Sequence, residues 1–319
     1  MSVTTTATMP GGHPTAVRAE SRRRRAVPLP CGSRVRALAR LACYLGWTAV
    51  LLPVQIAAVA FGWRLAERLP VFYHRSCYRL LGLKVEVRGK ISTDRPTLFV
   101  SNHSSYADIT VLGGLVPGSF VAKSEVADWP FFGLLAKLQR TVFVDRQMRR
   151  AADHRDAMQR RLEAGDNLIL FPEGTSNDGN RVLPFKSALF SVAERVVDGR
   201  PVTVQPVSIA YTRLDGLPLG YALRPCFAWY GDMALVPHLV RLVGLGTVTV
   251  VVEFHPPLTL ATCGGRRRMA AACRARIAAG VAAALSGRPS VVLDSEPLDI
   301  RFAASSPATD GVRAAAVPH

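Results

Sequence analysis

The residues best suited to chemistry form one polar run, Ser101-Asn102-His103-Ser104-Ser105-Tyr106-Ala107-Asp108, straight after the apolar segment Thr97–Val100. His103 and Asp108 are five residues apart. On a straight helix that sets them about 140° from each other, so they cannot pair as helix neighbours three or four apart. They can meet if His103 stays in a loop at the strand end and Asp108 falls in the first turn of the next helix, with Ser104 or Ser105 as its cap. A carboxylate on one imidazole nitrogen fixes the tautomer and leaves the other nitrogen as a general base. A capping-rich loop with an incidental histidine would look the same, so this run does not stand alone as an argument.

A second polar run, Phe171-Pro172-Glu173-Gly174-Thr175, follows another apolar segment, Asn167–Leu170. Gly174 permits a positive φ or close backbone approach, while Glu173 and Thr175 add a carboxylate and a hydroxyl. An ordinary Pro-Gly turn is the plain alternative. Between the two runs, Lys123 closes the segment SFVAK and Arg146 closes TVFVDR. Cations at strand ends bind phosphate or carboxylate groups, although singly each reads as a solvated surface charge. Active sites of open α/β sheets gather at strand ends, so two polar loops in equivalent positions strengthen each other.

The chemistry can be narrowed further. There is no GxSxG elbow, so an acyl-serine intermediate is not indicated, and no cysteine stands near His103 in sequence. The six cysteines (Cys31, Cys43, Cys77, Cys226, Cys263, Cys273) contain no CxxC pair. That excludes a disulfide framework and a zinc site, implies no metal or cofactor, and fits a reducing, cytoplasm-facing compartment. Cys43 and Cys77 lie in apolar stretches and are expected to be buried free thiols.

These loops need a scaffold, and from Lys84 onward the pattern supplies one. Runs resembling strands (KVEVRG, TLFVSN, SFVAK, TVFVDR, NLILFPEG, VTVQPVSIAY, TVTVVVEF) alternate with helical segments at Trp129–Gln139, Gln147–Ala164, Ser187–Val197 and Arg266–Leu285. Near-continuous apolar strands alternating with helices specify an α/β fold, with a mixed, largely parallel sheet covered by helices on both faces. The expected organisation is a disordered basic N-terminus over 1–32, a helical membrane anchor over 33–83, the α/β domain over 84–287 and a flexible C-terminal tail over 288–319. Within the anchor, Leu41–Gly62 carries no charge. As one helix it would be about 33 Å long, enough for a bilayer core. Pro53 is expected to kink or break it. Trp63–Leu83 mixes apolar and basic residues as an interfacial helix does.

The chain has 319 residues, 49% of them hydrophobic. Its mean hydropathy of +0.18 is too polar for a multi-span transporter. Lys and Arg number 40 against 23 Asp and Glu, a net charge of +17. Such a balance suits anionic lipid headgroups, an acidic carrier protein or nucleic acid. The cations are dispersed with no recognisable nucleic-acid motif, so no nucleic-acid partner is expected.

The order NHSSYAD, VAKSE with WPFFG, FVDR, FPEGT and VQPVSIAY resembles the four-block pattern of the glycerolipid acyltransferases, from about Val85 to Tyr211. The resemblance implies that His103 is the catalytic base, oriented by Asp108. It also implies that Arg146, Glu173, Gly174 and Thr175 shape acceptor binding, with Lys123 close by. Pro206 matches the proline of the fourth block. A membrane anchor ahead of the α/β domain is familiar there too, and the expected location is the cytoplasmic face of the inner membrane. The implied reaction moves an acyl group from an acyl-carrier protein or acyl-CoA thioester to the hydroxyl of a lyso-lipid. The first expectation for the acceptor is 1-acylglycerol-3-phosphate. The alternative is lyso-ornithine lipid, because Ser176 stands where phosphatidic-acid-forming members commonly carry Arg, leaving Arg181 or Lys186 to substitute. FPEGTSNDGNRVLPFKSALF and Phe227–Met233 (FAWYGDM) also look most like the lyso-ornithine branch. A thioesterase-like hydrolase, a basic nucleic-acid-binding protein and a non-catalytic membrane adaptor are the rival readings.

Overall fold

The structure is a computed structural model that describes residues 32–144, 151–197 and 199–288, with only the backbone path described for 151–156. Two helices come first, α1 (Arg34–Ala60) and α2 (Leu65–Leu80). The chain then runs β1 (Leu83–Gly89), β2 (Thr97–Ser101), α3 (Ala107–Gly113), β3 (Ser119–Lys123), α4 (Phe132–Leu138) and β4 (Val142–Val144). It continues through α5 (Ala151–Glu163), β5 (Leu168–Leu170), β6 (Val196–Val197), β7 (Arg200–Pro201), β8 (Thr203–Leu214) and β9 (Leu217–Pro218). The last elements are α6 (Leu235–Gly244), β10 (Val248–Phe254), α7 (Leu260–Cys263) and α8 (Arg266–Ser286).

The main sheet has the order β1-β10-β8-β2-β5-β3-β4, with β9 appended to β8. From β8 through β4 every neighbouring pair is parallel, and β10 and β1 run the other way. This is the mixed, largely parallel sheet that the apolar runs specify. Those runs lack alternation because both faces are covered. Phe99 and Ile169 face a core shared with α3 and α6, whereas Leu98, Val100, Leu168 and Leu170 face a core shared with α5 and α8. The parallel strands β2, β3 and β5 all end at one sheet edge, and that is where the chain turns polar.

Three expectations change. Pro53 does not break the first helix, since α1 runs unbroken from Arg34 to Ala60. Packing against neighbouring helices holds α1 together on either side of the proline: Thr48 bonds Tyr73 on α2 (2.9 Å), and Gln55 donates to the carbonyls of Ala66 on α2 (3.1 Å) and Leu138 on α4 (2.9 Å). Ser187–Val197 is not an α-helix. It is a 3-10 segment, Ser187–Glu194, followed by β6. The tighter coil sets Phe190 and Ala193 on one face, both buried in the core below α8. Cys43 is exposed on α1, unlike Cys77, which is buried, because the apolar stretch around Cys43 is only partly covered by the fold.

Candidate active site

Asn102 ends β2 by acting as a pseudo-strand. Its side chain donates to Ile209 O (2.9 Å) and accepts from Ile209 N (2.9 Å) on β8, which forces the following residues out of the sheet. His103 therefore sits in a loop and Asp108 in the first turn of α3, the arrangement under which the two can meet. His103 Nδ1 lies 2.9 Å from Asp108 Oδ2. The same oxygen accepts from the backbone N–H of Ser104 (2.7 Å) and Ser105 (2.9 Å), and the Tyr211 hydroxyl donates to Oδ1 (2.7 Å). Asp108 is fully buried. With four donors around it the carboxylate acts as an acceptor only, so His103 presents Nδ1–H to it and carries its lone pair on Nε2. Nε2 has no partner among the described residues, and the side chain is 20% exposed. Burial first, then the adjacent Asp108 charge, hold the Tyr211 phenol well above its usual range, so it remains the donor.

The second loop is laced to the first. Glu173 Oε1 accepts from His103 N (3.1 Å), and Oε2 accepts from Asn177 Nδ2 (2.7 Å) and Leu183 N (3.2 Å). Asn177 returns two donors to the carbonyl of His103, from its backbone (3.2 Å) and its side chain (3.1 Å). Burial pushes the Glu173 carboxyl up to about 7, against the pull of its three N–H donors. Glu173 thus holds loops in register rather than facing an open cleft. Gly174 takes φ 68, the left-handed region that its turn requires. Thr175 is exposed beside it.

Lys123 ends β3 at the same sheet edge and is half-buried. Arg146 lies outside the described residues. Three residues that matter here were not singled out by sequence: Asn177, Tyr211 and Trp229. Trp229 bridges both loops, its N–H donating to Ser104 O (2.8 Å) and its carbonyl accepting from the Ser176 hydroxyl. The only sequence signal for Tyr211 was its place at the end of the fourth block, and for Trp229 its place in FAWYGDM.

The His103 ring stacks on Phe171 with centroids 4.2 Å apart, and Phe171 stacks on Phe120 at 6.2 Å. Phe120 also lines an apolar cavity of about 210 Å³ walled by α1, α2, β1, α3, β3, α4 and α6. A column of three rings therefore leads from the imidazole to a space fit for a hydrocarbon chain.

Residues 83–210 match the Acyltransferase family model. The chain is 44% identical to the lyso-ornithine lipid O-acyltransferase of Brucella abortus (strain 2308), over 75% of this chain and 91% of that protein. It is 33% identical to the 1-acyl-sn-glycerol-3-phosphate acyltransferase of Neisseria gonorrhoeae, over 54% of this chain and 64% of that protein. In fold it is similar to the crystal structure of the 1-acyl-sn-glycerophosphate acyltransferase PlsC from Thermotoga maritima. The TM-score is 0.56 and the identity 21%, over 81% of this chain and 99% of that one.

Proposed function

The chain belongs to the acyltransferase family and acts on lyso-lipids, and from that premise we propose that its acceptor is lyso-ornithine lipid and that His103 and Asp108 carry the transfer. The observation that carries the mechanism is the buried, four-donor Asp108 carboxylate holding His103 Nδ1, with Nε2 left free next to a ring column that opens on an apolar cavity. The acyl chain of the thioester donor lies in that cavity. His103 Nε2 takes the proton of the acceptor hydroxyl as its oxygen bonds to the thioester carbonyl carbon. Turn amides beside Gly174 donate to the developing oxyanion. The C–S bond then breaks, and the departing thiolate receives the proton from the imidazolium. General-base help of this kind contributes typically about 10²–10⁴-fold, and positioning adds to it.

Two features favour lyso-ornithine lipid over 1-acylglycerol-3-phosphate. One is the higher identity and wider coverage of the lyso-ornithine relative. The other is Ser176, whose hydroxyl is committed to Trp229 O, so this position gives the turn no cation for a phosphate.

The membrane reading rests on α1, α2, α4 and α6, which present Leu45, Val50, Phe72, Leu134 and Val236 outward. Two described helices are long and apolar enough to cross a membrane, α1 and α8. Only 17% of the α1 window is buried in the fold against 44% for α8, which packs on β8 as a domain helix. We therefore assign membrane contact to the α1 side, with the cavity mouth facing the lipid and the donor reaching it from the cytoplasm. The test offers the purified full-length protein, in mixed micelles with an acyl-carrier protein or CoA thioester, either lyso-ornithine lipid or 1-acylglycerol-3-phosphate. Preferential formation of ornithine lipid supports the reading. Phosphatidic acid as the dominant product overturns the acceptor, and thioester hydrolysis independent of any acceptor overturns the transferase.

A further inference from the structure

We propose that Lys186 is the cation that receives the anionic group of the acceptor lipid, in the role left open by Ser176; this rests on the lyso-lipid acyltransferase reading. The first step is elimination within the Phe171–Asn177 turn. The Glu173 carboxylate is turned inward and filled by three N–H donors. Ser176 donates to Trp229 O, and the exposed Thr175 hydroxyl reaches only Ser176 O, at 3.4 Å. No side chain of the turn itself therefore offers a positive charge to a ligand.

Lys186 comes from downstream in sequence but is built onto the same turn. Its backbone N–H donates to Pro172 O at 3.0 Å. Its side chain then crosses the turn so closely that a Cβ on Gly174 would lie 2.6 Å from Nζ and 3.1 Å from Cε. Gly174 is required by its φ of 68, and its missing side chain leaves the space over the turn in which the ammonium sits. Among the described residues no carboxylate lies within ion-pairing distance of Lys186, and its side chain remains exposed. An unneutralised ammonium held one residue from Glu173, whose Oε1 accepts from His103 N, is placed to hold a lipid anion while the acceptor hydroxyl meets Nε2. Arg181, the other cation of this loop, has no comparable registration on the turn. A lysine binds as a point charge and takes a carboxylate or a phosphate equally well in geometry. The shared chemistry is therefore an anion close to the acylated hydroxyl, whether the ornithine carboxylate or a phosphate monoester.

The experiment measures KM and kcat for Lys186→Gln and Lys186→Arg in the full-length protein. The acceptors are lyso-ornithine lipid and its methyl ester, and 1-acylglycerol-3-phosphate and 1-acylglycerol. Lys186→Gln should raise KM at least about tenfold for the anionic acceptor that the wild type uses, because a charge-assisted hydrogen bond is lost. It should change kcat less than about threefold, leave the donor KM unaltered and leave the neutralised analogue untouched, while Lys186→Arg restores most of the affinity. The pair that shows the difference, ester or phosphate, identifies the anion. An unchanged KM, or an equal loss on charged and neutralised acceptors, overturns the proposal while the wild-type activity leaves the function standing. A wild type inactive on every lyso-lipid overturns the functional reading, and this inference falls with it.

Discussion

Replacing Asp108 with Asn tests the catalytic pair with little change of shape. The wild-type carboxylate collects His103 Nδ1, two backbone N–H groups and the Tyr211 hydroxyl. An amide can keep only part of this set. Its oxygen must face Ser104 N, Ser105 N and His103 Nδ1, and its NH₂ must face Tyr211, whose hydroxyl can turn to accept. The tautomer of His103 then survives, but the negative charge beside the imidazolium is gone. At a charge separation of about 4 Å and an effective dielectric near 20, that interaction is worth about 4 kcal/mol. Part of it is recovered from the amide dipole, so kcat should fall about 10²–10³-fold. The acceptor KM should barely move, because the charge acts mainly after proton transfer. Tyr211→Phe is the companion. It leaves a buried Oδ1 short of one donor, at a cost of about 1–3 kcal/mol in stability, but keeps the His103 contact on Oδ2. Its kcat should therefore fall much less than that of Asp108→Asn. Initial rates of ester formation in mixed micelles, with thermal unfolding as the control, give both numbers. An Asp108→Asn enzyme that is folded and within tenfold of wild type would refute the assignment of His103 as base.

Four further outcomes are expected. His103→Ala should leave the melting temperature nearly unchanged and abolish ester formation, measured as acyl transfer from a radiolabelled thioester. Glu173 has a folded pKa raised from 4.5 to about 7, so the folded state binds the extra proton between those values. Its stability contribution is present at acid pH and lost as pH climbs through about 7, amounting to roughly 3 kcal/mol; denaturant titrations should show the wild-type advantage over Glu173→Gln shrinking between pH 5 and 8. Leu135→Trp would fill part of the cavity, and excluding two methylenes at about 0.8 kcal/mol each should cut kcat/KM for long donors about tenfold while sparing short ones. Ser176→Arg should raise relative activity on 1-acylglycerol-3-phosphate and leave lyso-ornithine lipid unchanged or weakened, read as a ratio of products in a mixed-acceptor assay.

The parts legible in the sequence are those written locally. The His103–Asp108 pair needs only a strand end, a loop and one helical turn, and all three announce themselves within twelve residues. The sheet strands are equally plain, because burial on both faces makes them continuously apolar. Illegible were the contacts that span the chain. Tyr211 reaches Asp108 across 103 residues, and Asn102 reaches Ile209 across 107. A tyrosine and an asparagine at those spacings carry no periodic signal. The cavity is hidden for the same reason, since α1, α2, β1, α3, β3, α4 and α6 all contribute to its wall and each contributes ordinary apolar residues. The 3-10 segment at Ser187–Glu194 is not legible because composition there favours an α-helix, while packing below α8 selects the tighter coil.

How α1 would meet a bilayer, as proposed above, follows from its polar side chains rather than its apolar ones. Arg40 donates to the carbonyls of Val243 (2.9 Å), Leu245 (2.7 Å) and Gly246 (3.3 Å) at the end of α6. Thr48 meets the Tyr73 hydroxyl on α2, and Gln55 reaches Ala66 O and Leu138 O. These ties are spread over fifteen residues, about 22 Å of helix. A lone span would leave such groups in hydrocarbon, where unpaired polar atoms cost several kcal/mol each. Here they face α2, α4 and the end of α6, and the apolar side chains of Leu45 and Val50 are exposed. A helix fastened at Arg40 to the end of α6, at Thr48 to α2 and at Gln55 to α2 and α4 cannot cross a bilayer without drawing those elements in after it. It can instead lie in one leaflet, with the domain beneath. Under the proposed membrane reading, that geometry would put the apolar cavity between α1 and the sheet at lipid depth and the His103 loop just below it. A lyso-lipid can then enter sideways, keep its chain in the leaflet and present only its hydroxyl and anionic group to the protein.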